Sequence, residues 1–195
     1  MSQINSNLGI LNQLEIDKFY LREAYRFASK YSDDPITQNG AIIVADNTKA
    51  SLENILAYGT NHFPKNIKKT QERLNDRIIK LFYIEHAERD VIFNAIENKI
   101  DLTGKIMYCP WFACSGCARA IIRFNFKEII GHSEPDKFYE EVNREKIEKG
   151  EKKSSWKDDI EAGFNILNEC GVSYRFVDGK IGGVKIIFAR REFEP

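Results

Sequence analysis

Glu85-His86-Ala87-Glu88-Arg89, followed further along by Cys109-Pro110-Trp111-Phe112-Ala113-Cys114-Ser115-Gly116-Cys117, decides how this chain reads. His86 offers a nitrogen, Cys114 and Cys117 offer two sulfurs, and Glu88 leaves a carboxylate over. A hydrolytic zinc ion takes three protein ligands of this kind and keeps its fourth position for water, whose pKa falls to about 7; a structural zinc fills all four. Residues two apart on a helix point in different directions, so His86 can face a metal while Glu88 stays off it and handles protons. The expected metal ligands are therefore His86, Cys114 and Cys117, the expected cofactor is Zn2+, and the expected catalytic acid–base is Glu88. Two plainer readings stand beside these: a structural zinc or no metal for the three ligands, and an exposed helix-surface carboxylate for Glu88.

A chain of 195 residues, 43% hydrophobic and 30% charged, buries about 70% of its unfolded surface when it folds as one compact unit. One domain over residues 1–195 is expected. Lys+Arg and Asp+Glu both number 29, a formal net charge of +0. No overall field then draws in a polyanion, which weighs against a long nucleic-acid partner. Residues 1–7, Met-Ser-Gln-Ile-Asn-Ser-Asn, lack the basic start and apolar run of a signal peptide. No stretch approaches the roughly 18 apolar residues of a membrane span. A cytosolic protein with no membrane partner is the expectation. Cys109 and Cys170 lie outside the metal spacing and are expected as thiols packed in the core.

Hydrophobic periodicity sets the element order. Ile16, Phe19, Tyr20, Ala24, Phe27 and Ala28 recur at helical spacing up to Ser32-Asp33-Asp34-Pro35. Residues 40–44 read as a buried strand and 55–61 as its hairpin partner. Leu74, Ile78, Leu81 and Phe82 predict one helix over about 70–83, and His86 opens the next, to about Asn98. A strand at 106–109, a helix at 114–123 and a strand at 128–131 follow. Residues 135–155 read as a charged insertion whose run Lys146 to Lys153 forms a solvated face. A helix at 160–170 precedes a strand at 172–177, which turns at Asp178-Gly179 into 184–189 as a C-terminal hairpin. Alternating strands and helices predict an α/β fold with helices flanking a central sheet, an α/β/α sandwich.

Four segments, Asp34 to Ala41, Gly59 to Pro64, Glu85 to Arg89 and Cys109 to Ile122, resemble the cytidine/deoxycytidylate deaminase superfamily, and within it the deoxycytidylate (dCMP) deaminase-like proteins. The resemblance covers about residues 16–177. It implies a cytidine deaminase-like three-layer fold with a mixed sheet of about five strands, and zinc at the N-termini of two helices. It implies a small deoxynucleotide substrate, assembly as a homo-oligomer, and hydrolytic deamination of dCMP, with C5-modified dCMP as a further substrate. By the same resemblance Asn61 contacts the sugar hydroxyl and the base, and the backbone N–H of Ala87 meets the pyrimidine carbonyl. Trp111 or Phe112 would stack on the base. The plainer readings are a strand-end turn residue for Asn61 and core packing for the two aromatics.

The cations after Asn61, namely Lys65, Lys68, Lys69 and Arg73, are candidates for the phosphate, although most such residues simply solvate a surface. His62 and His132 read as structural or exposed. Three positions depart from the family pattern: Ala113 where a proline precedes the first cysteine, Asn39 where a valine is usual, and Lys65-Asn66 where regulated members carry glycines. The first would slacken the loop into the zinc helix, and the last implies weak control by dCTP and dTTP. Two further functions remain open: a deaminase acting on a base in RNA or single-stranded DNA, and a non-catalytic, zinc-stabilised scaffold.

Overall fold

The computed structural model describes residues 12–150 and 156–195. Its centre is a five-stranded mixed sheet in the order β2-β1-β3-β4-β5. Strand β1 (Gly40–Val44) is buried along its whole length, as its unbroken apolar run requires. It pairs antiparallel with β2 (Ile55–Thr60) on one side and with β3 (Ile106–Tyr108) on the other. Strands β4 (Glu128–His132) and β5 (Tyr174–Val177) continue from β3 in parallel.

The two-residue period of the strands divides the core into two layers. Ile42, Val44, Ile106, Tyr108 and Ile130 face helix α1 (Gln13–Tyr31), which answers with Ile16, Tyr20, Leu21 and Ala24. Asn12 caps that helix by accepting the Glu15 N–H. Ala41, Ile43, Met107 and Ile129 face the opposite way. There the covering helices are α4 (Ala87–Glu97), α5 (Ser115–Ile121) and α7 (Trp156–Glu169). This is the expected three-layer α/β/α arrangement.

Several expectations are corrected. The single helix over 70–83 is two, α2 (Gln71–Asn75) and α3 (Arg77–Tyr83). Asp76 breaks them apart because its carboxylate accepts the N–H groups of Ile78 and Ile79 and so caps the second helix. The charged segment after 134 is helix α6 (Glu134–Glu148), which buries Val142, turns Asp136 toward Trp111 and leaves Lys137, Glu140, Glu141, Arg144 and Glu148 exposed; of the run Lys146 to Lys153, residues 151–153 lie outside the described residues. The C-terminal hairpin does not use β5, whose pairing partner is β4. Strands β6 (Ile186–Phe188) and β7 (Arg191–Phe193) form it as a separate two-stranded sheet. Cys109 is buried as expected, whereas Cys170 is exposed, because it follows the last turn of α7. Among the described residues no helix is long and apolar enough to cross a membrane.

Candidate active site

Two helix N-termini converge on one point. His86 is the N-cap residue of α4, Cys114 is the N-cap residue of α5, and Cys117 lies in the first turn of α5. Gly59 lets β2 approach α4 closely enough to place it: a Cβ there would sit 2.3 Å from the Val91 nitrogen. Asp90 fastens the same contact by accepting the Thr60 N–H at 2.8 Å. The loop into α5 carries Ala113 in place of proline, yet it is held from outside. α7 lies so close that a Cβ on Gly163 would meet the Ala113 carbonyl oxygen at 2.1 Å. Asp159 of the same helix accepts the Ser115 N–H. Tertiary packing therefore supplies the restraint that a ring at position 113 would otherwise give.

The ligand atoms form a compact triangle. His86 Nδ1 is 3.4 Å from Cys114 Sγ and 3.6 Å from Cys117 Sγ, and the two sulfurs are 3.4 Å apart. A tetrahedral zinc with sulfur at about 2.3 Å and nitrogen at about 2.0 Å needs separations of about 3.5–3.8 Å, so the three side chains fit it. Among the described residues this is the group of ligand side chains placed to hold an ion. The positive ends of both helices favour thiolates here. Contact with the Cys117 thiol, assisted by His86, pulls Cys114 down to about 4 against the effect of burial. The Arg89 guanidinium lies 3.8 Å from Cys117 Sγ and is held by Glu85. Glu88 is only 3% exposed. Burial, and after it the charge on Cys114, pushes its carboxyl up to about 7.

A cavity of about 30 Å³ brings Asn61, Trp111 and Phe112 to the same space as His86, Glu88 and Cys114. Each of the three also has a partner in the protein. Asn61 Oδ1 accepts the Ala87 N–H at 3.0 Å, and Asn61 Nδ2 donates to the Thr37 carbonyl at 2.9 Å. The Ala87 hydrogen is thus already committed, and a pyrimidine carbonyl would have to share it. Trp111 Nε1 donates to Asp136 Oδ1 at 2.8 Å. Phe112 lies parallel to Phe176, ring centroids 5.2 Å apart, within the core.

Sequence reasoning named Asn39 only as a departure and missed Trp156, Ile160, Arg77 and Arg190 at this site. Asn39 donates to the Trp111 carbonyl at 2.7 Å, which gives the polar residue at that position a use. Trp156 and Ile160 of α7 line the cavity, and Arg77 and Arg190 line the spaces beside it. The cations named from sequence are placed differently. Lys69 pairs with Asp33, Arg73 lies over the Tyr83 ring, and Lys65 and Lys68 are exposed. Asn66 takes the left-handed conformation, φ 71°, that glycine supplies elsewhere. His62 Nδ1 donates to the Thr60 carbonyl at 3.1 Å and lies 3.5 Å from Asp90 Oδ2 at the end of β2.

The cytidine and deoxycytidylate deaminase zinc-binding region matches residues 14–133, more than half of the sequence. The chain belongs to this deaminase family. Deoxycytidylate deaminase of Homo sapiens is 29% identical over 182 residues, 90% of this chain and 86% of that protein. A probable deoxycytidylate deaminase of Drosophila melanogaster is 31% identical over 121 residues, and the match spans 56% of the fly protein's length. The fold recurs in the dCMP deaminase of the cyanophage S-TIM5, solved in complex with dCMP and dUMP, with a TM-score of 0.57 at 19% identity over 83% of this chain and 96% of that one. It recurs also in RibD of Acinetobacter baumannii, TM-score 0.52 at 18% identity, covering 85% of this chain and 36% of that one. The deaminase region holds His86, Glu88, Cys114 and Cys117; Trp156, Ile160 and Arg190 come from beyond it.

Proposed function

We propose that this chain is a zinc-dependent deaminase that hydrolyses dCMP to dUMP and ammonia. The observation that carries the reading is the burial of Glu88, as a fourth polar group beside a three-ligand site, in the cavity that His86 and Cys114 share. A scaffold zinc has no use for such a carboxylate. When bound, zinc would act as a Lewis acid that makes water a nucleophile near neutral pH.

The chain's own residues would do the rest. Glu88 takes one proton of the attacking water and delivers it to the ring N3, while the C4–O bond forms. It then takes the second proton and delivers it to the departing amine, so the C4–N bond breaks and ammonia leaves. The water oxygen ends as the C4 carbonyl, and N3 keeps its hydrogen. Asn61 Oδ1 has a second lone pair free for a sugar hydroxyl beside the Ala87 N–H. Trp111 offers an apolar wall to the ring, held by Asn39 and Asp136, and Phe112 backs the cavity from the core. A cytosolic homo-oligomer belongs to the same reading.

The test is a comparison of kcat/KM on dCMP, deoxycytidine, cytidine, dCTP, 5-methyl-dCMP and a single-stranded oligonucleotide, using protein loaded with zinc. dCMP should be preferred, and metal analysis should find one zinc per chain that Cys114→Ser or Cys117→Ser loses. Faster turnover of deoxycytidine, or activity confined to the oligonucleotide, would move the chain to another branch of the family.

A further inference from the structure

The deamination reading leaves the substrate's phosphate without a partner, and two small spaces beside the Glu88 cavity are lined by cations. One, of about 70 Å³, is lined by Arg77, Lys146 and Arg190. The other, of about 50 Å³, is lined by Arg77 and Lys80 together with His86 and Asn61. Trp156 walls both of them and the Glu88 cavity as well. Asp34 is the carboxylate that lines the second space, and Lys80 already pairs with it. Arg77 and Arg190 form no ion pair with a carboxylate among the described residues. Burial, and then the charges of Arg190 and Arg77, hold the Lys80 ammonium below its ordinary value although Asp34 opposes them. The rim therefore carries positive charge in excess.

Arg190 reaches this rim on strained backbone. Phe188 faces Arg191 across the β6–β7 hairpin, so Ala189 and Arg190 alone make the turn. Both are left-handed, with φ of 51° and 66°. Two-residue hairpin turns of this kind favour Asn-Gly or Gly-Gly, because a Cβ is disfavoured at both places. The tip is nevertheless fastened: the Arg190 N–H donates to the Ile36 carbonyl at 2.9 Å and its guanidinium to the Asn75 carbonyl at 3.2 Å. Strain held at a turn beside a reaction centre points to a use for the side chain. A guanidinium presents a fork of donors that fits a phosphate. The second guanidinium is positioned too, since Arg77 lies 5.5 Å over the Trp156 ring.

We propose that Arg190, together with Arg77, binds the substrate's 5′-phosphate and thereby sets a preference for the monophosphate over the free nucleoside. The proposal rests on the deamination reading and extends it to Arg77 within the deaminase region and to Arg190 beyond it. Glycine suits the turn, so Arg190→Gly removes the guanidinium while relieving the backbone. The kcat/KM ratio of dCMP to deoxycytidine should fall about 10–100-fold in Arg190→Gly and in Arg77→Gln, the usual effect of losing a charged hydrogen-bond partner. Arg190→Lys should restore part of it, and the Tm of Arg190→Gly should not drop. An unchanged ratio, or an equal fall for both substrates, would overturn the proposal. If the wild-type protein deaminates no cytosine nucleotide, the deamination reading fails instead, and calorimetry with dUMP and with inorganic phosphate decides the clamp. Binding weakened at least about tenfold in Arg190→Gly supports it, and equal binding overturns it.

Discussion

Asn61 Oδ1 accepts the backbone N–H of Ala87 at 3.0 Å, so one side chain ties the end of β2 to the first turn of α4. Ala87 sits between His86 and Glu88, the proposed metal ligand and proton carrier, and the tie therefore sets where both point. Thr37 holds the other end of the same amide. The two residues that the family resemblance assigns to substrate are thus partners of each other before any substrate arrives.

Asn61→Ala should leave a buried N–H and a carbonyl without partners, at a cost of about 1–3 kcal/mol for each unsatisfied group. Thermal denaturation should show a lower Tm, with kcat/KM on dCMP reduced as α4 loses its register. A wild-type Tm would show that the tie does nothing for the fold.

The contact of α7 with the loop into α5 gives a second expectation. Gly163→Ala would drive a Cβ to within 2.1 Å of the Ala113 carbonyl oxygen. The helix must back away, at about 1–3 kcal/mol for an overpacked contact, and Cys114 loses support. Both Tm and retention of zinc against a chelator should fall. Normal values of both would mean that the loop is held by something else.

What was legible in the sequence and what was not divides by range. Strand β1 read correctly because a strand buried on both faces is a continuous apolar run. The grouping of His86, Cys114 and Cys117 was legible because their spacing is local to two helix starts. The break at Asp76 was hidden by the apolar period of Leu74, Ile78 and Leu81, which continues across it. Cys170 was misplaced because the end of a helix, not its residue type, decides exposure. Trp156 and Arg190 gave no signal at all. Nothing in their spacing joins them to His86; only the packing of α7 and the separate pairing of β6 with β7 brings them there.

Acid should weaken the protein through His132, which is fully buried. Its Nε2 lies 2.8 Å from the Gly179 carbonyl, which can only accept, so Nε2 carries the hydrogen and Nδ1 accepts from the Tyr25 hydroxyl at 2.8 Å. Burial lowers its pKa, although the bond to Gly179 and the nearby charges of Glu134 and Asp178 oppose that and Lys137 adds to it. A lowered folded value means that the stabilising contribution is complete above about 6.5, the ordinary histidine value, and is lost as pH falls below it through the folded pKa. The Tm should therefore decline from about pH 7 to about pH 5. His132→Gln should show a shallower decline over the same window; an identical slope would place the acid sensitivity in other groups.

Turnover and zinc content of Glu88→Gln, measured on the same preparation, test the central claim most directly. The substitution keeps size and hydrogen bonding but cannot carry a proton. The account predicts a folded protein with one zinc per chain and dCMP turnover lowered by at least about 10²–10⁴-fold, the usual contribution of general acid–base catalysis. A variant that holds its zinc and keeps most of its activity would contradict the account, because the buried carboxylate beside His86 would then have no part in the chemistry.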